Sequence, residues 1–245
     1  MIILPPTTIS SLTADSANAS YPAANLLLES PKRIWRAASS SVTSATLTWS
    51  ITGPVDTVVL HHAVADTVSL EYYTGSTWAT PPGLDAETYD DPLFSGYITH
   101  WITFTALSGS VQLRLTLTQT GTSTSRAANL LAGSAVPVDG VVYPLQESLL
   151  DTSIRTPLLN GEEYYLKRDV PRMFTGSVLA DRAATVRALM LDIGRRHGAT
   201  PCAVQLAPPW GDDFFVYGRL SMPQSSHAWP TYSSVSFELR EMVGI

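Results

Sequence analysis

Val111-Gln112-Leu113-Arg114-Leu115-Thr116-Leu117-Thr118 alternates apolar and polar side chains without a break. Successive side chains of a strand point to opposite faces. Period two therefore places Val111, Leu113, Leu115 and Leu117 on one buried face and the four polar residues on the other. Working outward, Leu47, Trp49 and Ile51 repeat the pattern on a shorter scale. Val55 to His61, Val68 to Tyr73 and Tyr97 to Phe104 are rich in β-branched and aromatic residues and read as further strands. Strands separated by turn signals, with no helix-period segment among them, predict two packed antiparallel sheets. Between Tyr73 and Tyr97 the punctuation Gly75, Pro81-Pro82-Gly83, Asp90-Asp91-Pro92 and Gly96 predicts a long loop at one end of this sandwich.

Composition agrees with a mainly β protein. Of 245 residues 44% are hydrophobic and only 15% are charged, so a substantial core can form under a surface that is polar rather than ionic. The net charge is −6 and no basic patch stands out, which argues against nucleic-acid binding. Residues 1–140 carry 10 acidic and 5 basic groups, and residues 141–245 carry 11 and 10. Cys202 is the single cysteine, so the chain forms no internal disulfide and its stability rests on packing. The start, Met1-Ile2-Ile3-Leu4-Pro5-Pro6, lacks a basic region and a long apolar run, and no apolar stretch reaches the roughly 20 residues of a membrane span. The expectation is a soluble protein without a cleavable signal.

The rhythm changes after the polar turn Gly121-Thr122-Ser123-Thr124-Ser125 and the Gly- and Pro-punctuated stretch 127–145. We place a boundary there, giving a β-sandwich over 1–138 and a small α+β domain over 139–245. In the second domain Tyr164 to Arg168 and Arg172 to Leu179 read as strands. A helix is expected from Arg182 to His197, with Ala183, Val186, Leu189, Met190 and Ile193 on one face. Asp181 would cap its start and Gly198 would stop it. Cys202 to Leu206, Asp213 to Ser221 and the alternating Val235, Phe237 and Leu239 complete a sheet, with Gly218 marking a bulge or a close backbone approach.

Two segments carry a family resemblance. Tyr21-Pro22-Ala23-Ala24-Asn25-Leu26-Leu27, followed by Ile34-Trp35-Arg36 and Thr46-Leu47-Thr48-Trp49-Ser50, resembles the opening of a discoidin-type, galactose-binding-like jelly roll as found in tail proteins of bacterial viruses. Gly161-Glu162-Glu163-Tyr164-Tyr165, Arg172-Met173-Phe174-Thr175-Gly176-Ser177-Val178 and Val235-Ser236-Phe237-Glu238-Leu239-Arg240-Glu241 resemble the body of small tail-tip proteins of long-tailed bacteriophages. The resemblance implies a virion structural protein of the distal tail or baseplate, made and assembled in the host bacterial cytoplasm. Its implied partners are further copies of itself in a ring, a hexamer or a trimer, and the neighbouring tail tube, hub and fibre proteins. The family's usual order places the ring former first. Here the sandwich comes first, unless Met1 to Ser10 pairs with the second half.

Nothing in the sequence points to catalysis. There is no Gly-x-Ser-x-Gly elbow and no phosphate-cradling Gly-rich loop, and Ser153 and Ser177 have no identifiable base, so we read the chain as a non-enzyme without a cofactor. His61 and His62 are adjacent on a strand and are expected to point to opposite faces, which speaks against a metal pair. Asp85, Glu87, Asp90 and Asp91 form an acidic segment, by default solvated, with calcium as the alternative. Trp78 and Tyr89, with Phe94 and Trp101 near them, lie in or beside the long loop. Aromatic faces stack on sugar rings, so Trp78 and Tyr89 are the candidate glycan contacts, whereas Trp101 and Phe94 also suit the core. Trp35 reads as a core anchor. Trp210 and Trp229 sit in loop-like segments and are either covered by a partner or packed on their own domain. The alternative function is therefore a carbohydrate-binding module for host-surface recognition.

Overall fold

The computed structural model describes residues 1–90, 97–138, 141–151, 153–157, 163–166, 170–181, 193, 200–206, 215–226 and 232–243. Its strands, in chain order, begin with β1 (Ile2–Leu4), β2 (Ile9–Ala14), β3 (Trp35–Arg36), β4 (Ser44–Thr52) and β5 (Val55–Ala63). β6 (Thr67–Tyr73), β7 (Trp78–Ala79), β8 (Asp85–Asp90), β9 (Ile98–Leu107) and β10 (Ser110–Thr118) follow. Then come β11 (Arg126–Ala127), β12 (Asn129–Gly133), β13 (Val136–Pro137), β14 (Val141–Leu149) and β15 (Ile154–Pro157). The last are β16 (Glu163–Leu166), β17 (Arg172–Asp181), β18 (Cys202–Gln205), β19 (Phe215–Ser226) and β20 (Tyr232–Glu241). A 3-10 turn, Ala23–Leu27, lies between β2 and β3. The protein is mainly β.

The chain divides into two compact units, Met1–Pro137 with Cys202–Tyr217, and Val138–Pro201 with Gly218–Ile245. In the first unit one antiparallel sheet runs β2-β4-β10-β6-β7 and a second runs β12-β5-β9-β8. The alternation read in β10 is the observed one. Val111, Leu113, Leu115 and Leu117 are buried, opposite Ile51, Trp49, Leu47 and Ala45 of β4. Val58 and Leu60 of β5, Ile102 and Phe104 of β9 and Ala132 of β12 close the same core from the other sheet. Burying side chains of this size stabilises by about 1.5–3 kcal/mol each, which is what holds two sheets face to face.

The Tyr21–Leu27 turn works as a clamp on this core. Pro22 enters in extended geometry, Asn25 Nδ2 donates to the Ile34 carbonyl at 2.8 Å, and Leu26 and Trp35 are buried in the core cluster. Trp35 is thus the anchor its position suggests.

Three expectations are corrected. The stretch 74–90 is not one long loop, because it contains β7 and β8. β8 pairs with β9 from Asp85↔Thr103 to Asp90↔Ile98, and backbone bonding of this kind needs no apolar pattern in the strand. The boundary near residue 138 does not assign everything after it to the second unit. β18 and the start of β19 group with the first, and β1 pairs with β13 on one side and with β18 on the other, Ile3 opposite Val204. The N-terminal strand therefore pairs with a segment from late in the chain. Finally, every named element of the second unit is a strand, and Asp181, read as a helix cap, instead closes β17 opposite Tyr232. The helix expected over 182–197 lies outside the described residues, except for Ile193, which is buried.

The second unit contains an antiparallel array in which β20 pairs with both β17 and β19, and β17 pairs with β14. Phe174, Val178, Leu220, Val235, Phe237 and Leu239 are among its buried side chains, and Arg172 is tied to Glu241. β15 and β16 form a separate two-stranded hairpin.

Candidate functional site

The polar face of the β10-β6-β7 array presents a compact group of side chains. Register sets it: Arg114 lies opposite Glu71, and Tyr73 opposite Trp78. Because Leu70 points into the core, Glu71 and Tyr73 alternate with it toward water. Arg114 Nε and Nη2 both donate to Glu71 Oε2, at 2.9 and 2.6 Å. The Arg114 guanidinium also lies over the Trp78 ring, 4.4 Å from its centroid, and the Tyr73 and Trp78 rings are tilted at 5.4 Å. The turn joining β6 to β7 is pinned by Thr74 and Thr77 through backbone and hydroxyl bonds, and Gly75 supplies a φ of 96°. Two aromatic rings are thus held on a braced hairpin beside a charged pair.

This group leaves binding capacity toward solvent. Tyr73 is 40% exposed, and the Arg114 and Glu71 side chains are about a third exposed at 30% and 31%. Both bonds from Arg114 end on Oε2 of Glu71. Chemically the group can stack on an apolar ring face and exchange hydrogen bonds with hydroxyls through a carboxylate and a guanidinium.

Of the sequence candidates, only Trp78 belongs to this group. Tyr89 is 5% exposed and does not offer a face to a glycan. Its ring stacks on Phe215 at 5.7 Å, and its hydroxyl donates to Glu87 and receives a bond from Gln205. Trp101 is also buried, with its ring at 6.0 Å from Phe215. Trp210, Trp229 and Phe94 lie outside the described residues. Glu71, Tyr73 and Arg114 were missed because 43 residues separate Arg114 from Glu71. The signal that could have found them was their shared outward parity on neighbouring strands.

The histidines depart from expectation. His61 and His62 do not point to opposite faces, since their rings stack at 3.7 Å with 28° between planes. The pairing of β5 with β9 shifts between Leu60 and Ala63, and His62 takes a left-handed φ of 49°. A bulge inserts one extra residue and resets the alternation, so both imidazoles end on one side. His61 Nδ1 and Thr99 Oγ1 share a hydrogen bond at 3.0 Å. Burial, reinforced by the charge His62 would carry, holds His61 well below the usual imidazole range. Burial alone pushes His100 down to about 4. Both are neutral near pH 7.

Among the described residues no three His, Cys, Asp or Glu side chains gather as a metal site. Asp85, Glu87 and Asp90 lie along β8, all exposed, while Asp91 lies outside the described residues. No helix among the described residues is long and apolar enough to cross a membrane.

No protein-family model matches this chain, and no curated protein matches it. One similar solved structure is a chain from work on the multiple functions of the Streptococcus pneumoniae beta-galactosidase BgaA. It has a TM-score of 0.40 at 13% identity, covering 52% of this chain and 98% of that one, a likeness too low to bear on function.

Proposed function

We propose that this chain is a structural protein of a bacteriophage tail tip that works by assembling with copies of itself and with neighbouring tail proteins. The observation that carries the reading lies in the second unit, where Leu149, Leu166 and Leu179 are 68%, 40% and 41% exposed. Leu149 ends the edge strand β14, and Leu166 ends the hairpin β15-β16. A lone two-stranded hairpin is marginal in water, and an uncovered sheet edge bonds readily to another chain. Both features are relieved when another subunit covers them. The tail-tip assignment rests on the sequence resemblance. The helix over 182–197 belongs to the same proposal, packed on the second unit's sheet. Subunits in such a ring meet through two different surfaces, and the ring closes by rotation.

The test is a variant carrying Leu149→Asp, Leu166→Asp and Leu179→Asp. It should retain the wild-type circular dichroism spectrum and lose self-association. Full self-association in the folded variant would remove these surfaces from the account.

A second reading, saccharide binding, has its own observation in the Tyr73-Trp78-Arg114-Glu71 group. Titration with a panel of bacterial surface oligosaccharides, followed by tryptophan fluorescence, tests it. Binding that disappears in Tyr73→Ala and Glu71→Gln supports it. An unresponsive signal across the panel, or binding unchanged in both variants, dismisses it.

A further inference from the structure

We propose that the stacked pair His61–His62 is an acid-sensitive latch that holds the Phe215–Tyr217 stretch on the outer face of the sandwich. The proposal goes beyond the assembly reading and does not depend on it. Its basis is the bulge in β5, which turns both imidazoles away from the core side occupied by Leu60 and Ala63. His61 then meets the start of β19, with its ring 5.0 Å from Tyr217 and 5.8 Å from Phe215. Phe215 continues onto Tyr89 and Trp101, and the Tyr217 hydroxyl donates to the Glu29 carbonyl at 3.1 Å. The late segment therefore covers the outer face of the β12-β5-β9-β8 sheet by aromatic contact, and the histidine pair lies beneath it.

A neutral imidazole suits this place and an imidazolium does not. Protonation makes both ring nitrogens donors. Nδ1 of His61 has Thr99, but its Nε2 is buried with no hydrogen-bond partner among the described residues. A second proton on the pair would set like charges 3.7 Å apart. His61 itself has no carboxylate partner among the described residues, only the Thr99 hydroxyl and the His62 ring. On the β9 side, Tyr97 faces His62 at 5.8 Å and carries the Arg126 guanidinium of β11 over its ring at 4.5 Å, a further positive charge. On β12, Asn129 is the register partner of His61 and donates its amide to the Leu28 carbonyl. β19 contributes Phe215 and Tyr217, and the 3-10 turn Ala23–Leu27 carries no ionisable side chain. On β8, Asp85, Glu87 and Asp90 are exposed, and Glu87 is engaged by Tyr89 and Gln205. His100 shares the parity of Ile102 and Phe104, on the core side of β9. The accessible way to charge the pair is to part the rings and lift Phe215–Tyr217, letting water reach Nε2. Burial already resists the proton on His61.

Hydrogen exchange of the full chain at pH 7 and pH 5, corrected for the intrinsic pH dependence of exchange, tests the latch. Each imidazole that refuses a proton loses up to about tenfold in protection per pH unit below the ordinary value. Residues 202–206 and 215–217 should lose about tenfold or more at pH 5, while β4 and β10 keep their protection. The loss should vanish in the double variant His61→Gln, His62→Asn, because Asn tolerates left-handed backbone at position 62. Should that variant not fold, a histidine NMR titration of the wild type decides. The latch requires His61 to gain its proton in the same pH interval as the segment loses protection. Protection unchanged at pH 5, a loss that persists in the folded double variant, or His61 titrating near its ordinary value with the segment still protected would each overturn the proposal.

Discussion

At the scale of single residues, the feature with most consequence is the left-handed backbone at His62. A β-branched side chain is strongly disfavoured there, whereas Asn adopts the conformation with little cost. His62→Val should therefore destabilise the first unit by about 1–3 kcal/mol more than His62→Asn, measured by urea unfolding. Equal midpoints for the two variants would mean the bulge relaxes freely. This residue also shows where sequence reading stopped. Period two assigns adjacent histidines to opposite faces, and nothing in the residue types announces the extra residue that resets the count. Trp78 and Trp35 were legible because a turn residue pattern surrounded each. Tyr89 was misread because its neighbours Asp85, Glu87 and Asp90 look like a solvated loop, although backbone pairing makes them a strand that turns Tyr89 inward.

At the scale of elements, the long core strands were readable because burial on one face imposes alternation. β8 was not, since only Tyr89 of its side chains is buried. β12 fell in a stretch punctuated by Gly and Pro, yet all five of its residues are buried against β5. Two element contacts yield direct tests. Gly218 faces the backbone of β20, and a Cβ there would stand 2.3 Å from the Arg240 carbonyl oxygen. Gly218→Ala should separate the β19-β20 pair locally and cost about 1–3 kcal/mol in unfolding free energy. A neutral result would show that the two strands shift without penalty. Arg172 and Glu241 join the starts and ends of β17 and β20, with Nη2 to Oε1 at 2.7 Å, Nε to the same oxygen at 3.1 Å and the Arg172 amide to Oε2 at 2.9 Å. Glu241→Ala leaves a largely buried guanidinium without its carboxylate and should cost about 3 kcal/mol. A loss below 1 kcal/mol would show that solvent replaces the carboxylate.

At the scale of the whole molecule, the two-unit division was only partly readable. The division between Pro137 and Val138 falls near the composition shift at residue 140, but the return of 202–217 to the first unit depends on contacts across more than a hundred residues. Such pairings leave no local mark in either partner. Acid stability follows from the buried histidines. His61 and His100 are depressed in the folded chain, while the unfolded chain takes up protons near the ordinary 6.5. Below that value the unfolded state binds more protons than the folded one. Stability therefore falls as pH drops from about 6.5 toward 4, by up to about 1.4 kcal/mol per pH unit for each such histidine. Asp66 acts in a separate window. Bonds from the Thr120 hydroxyl and amide hold its carboxyl below 3.8, so its contribution is present above that value and lost as pH falls further. Urea midpoints that stay constant between pH 7 and 4.5 would contradict the neutral burial of His61 and His100.

The central claim is that this chain acts by assembly, and the solution mass of the purified full chain by light scattering, across a concentration series, tests it most directly. The account predicts a closed oligomer, a trimer or a hexamer, whose population grows with concentration and whose mass then stays fixed. A monomer at every concentration would contradict it.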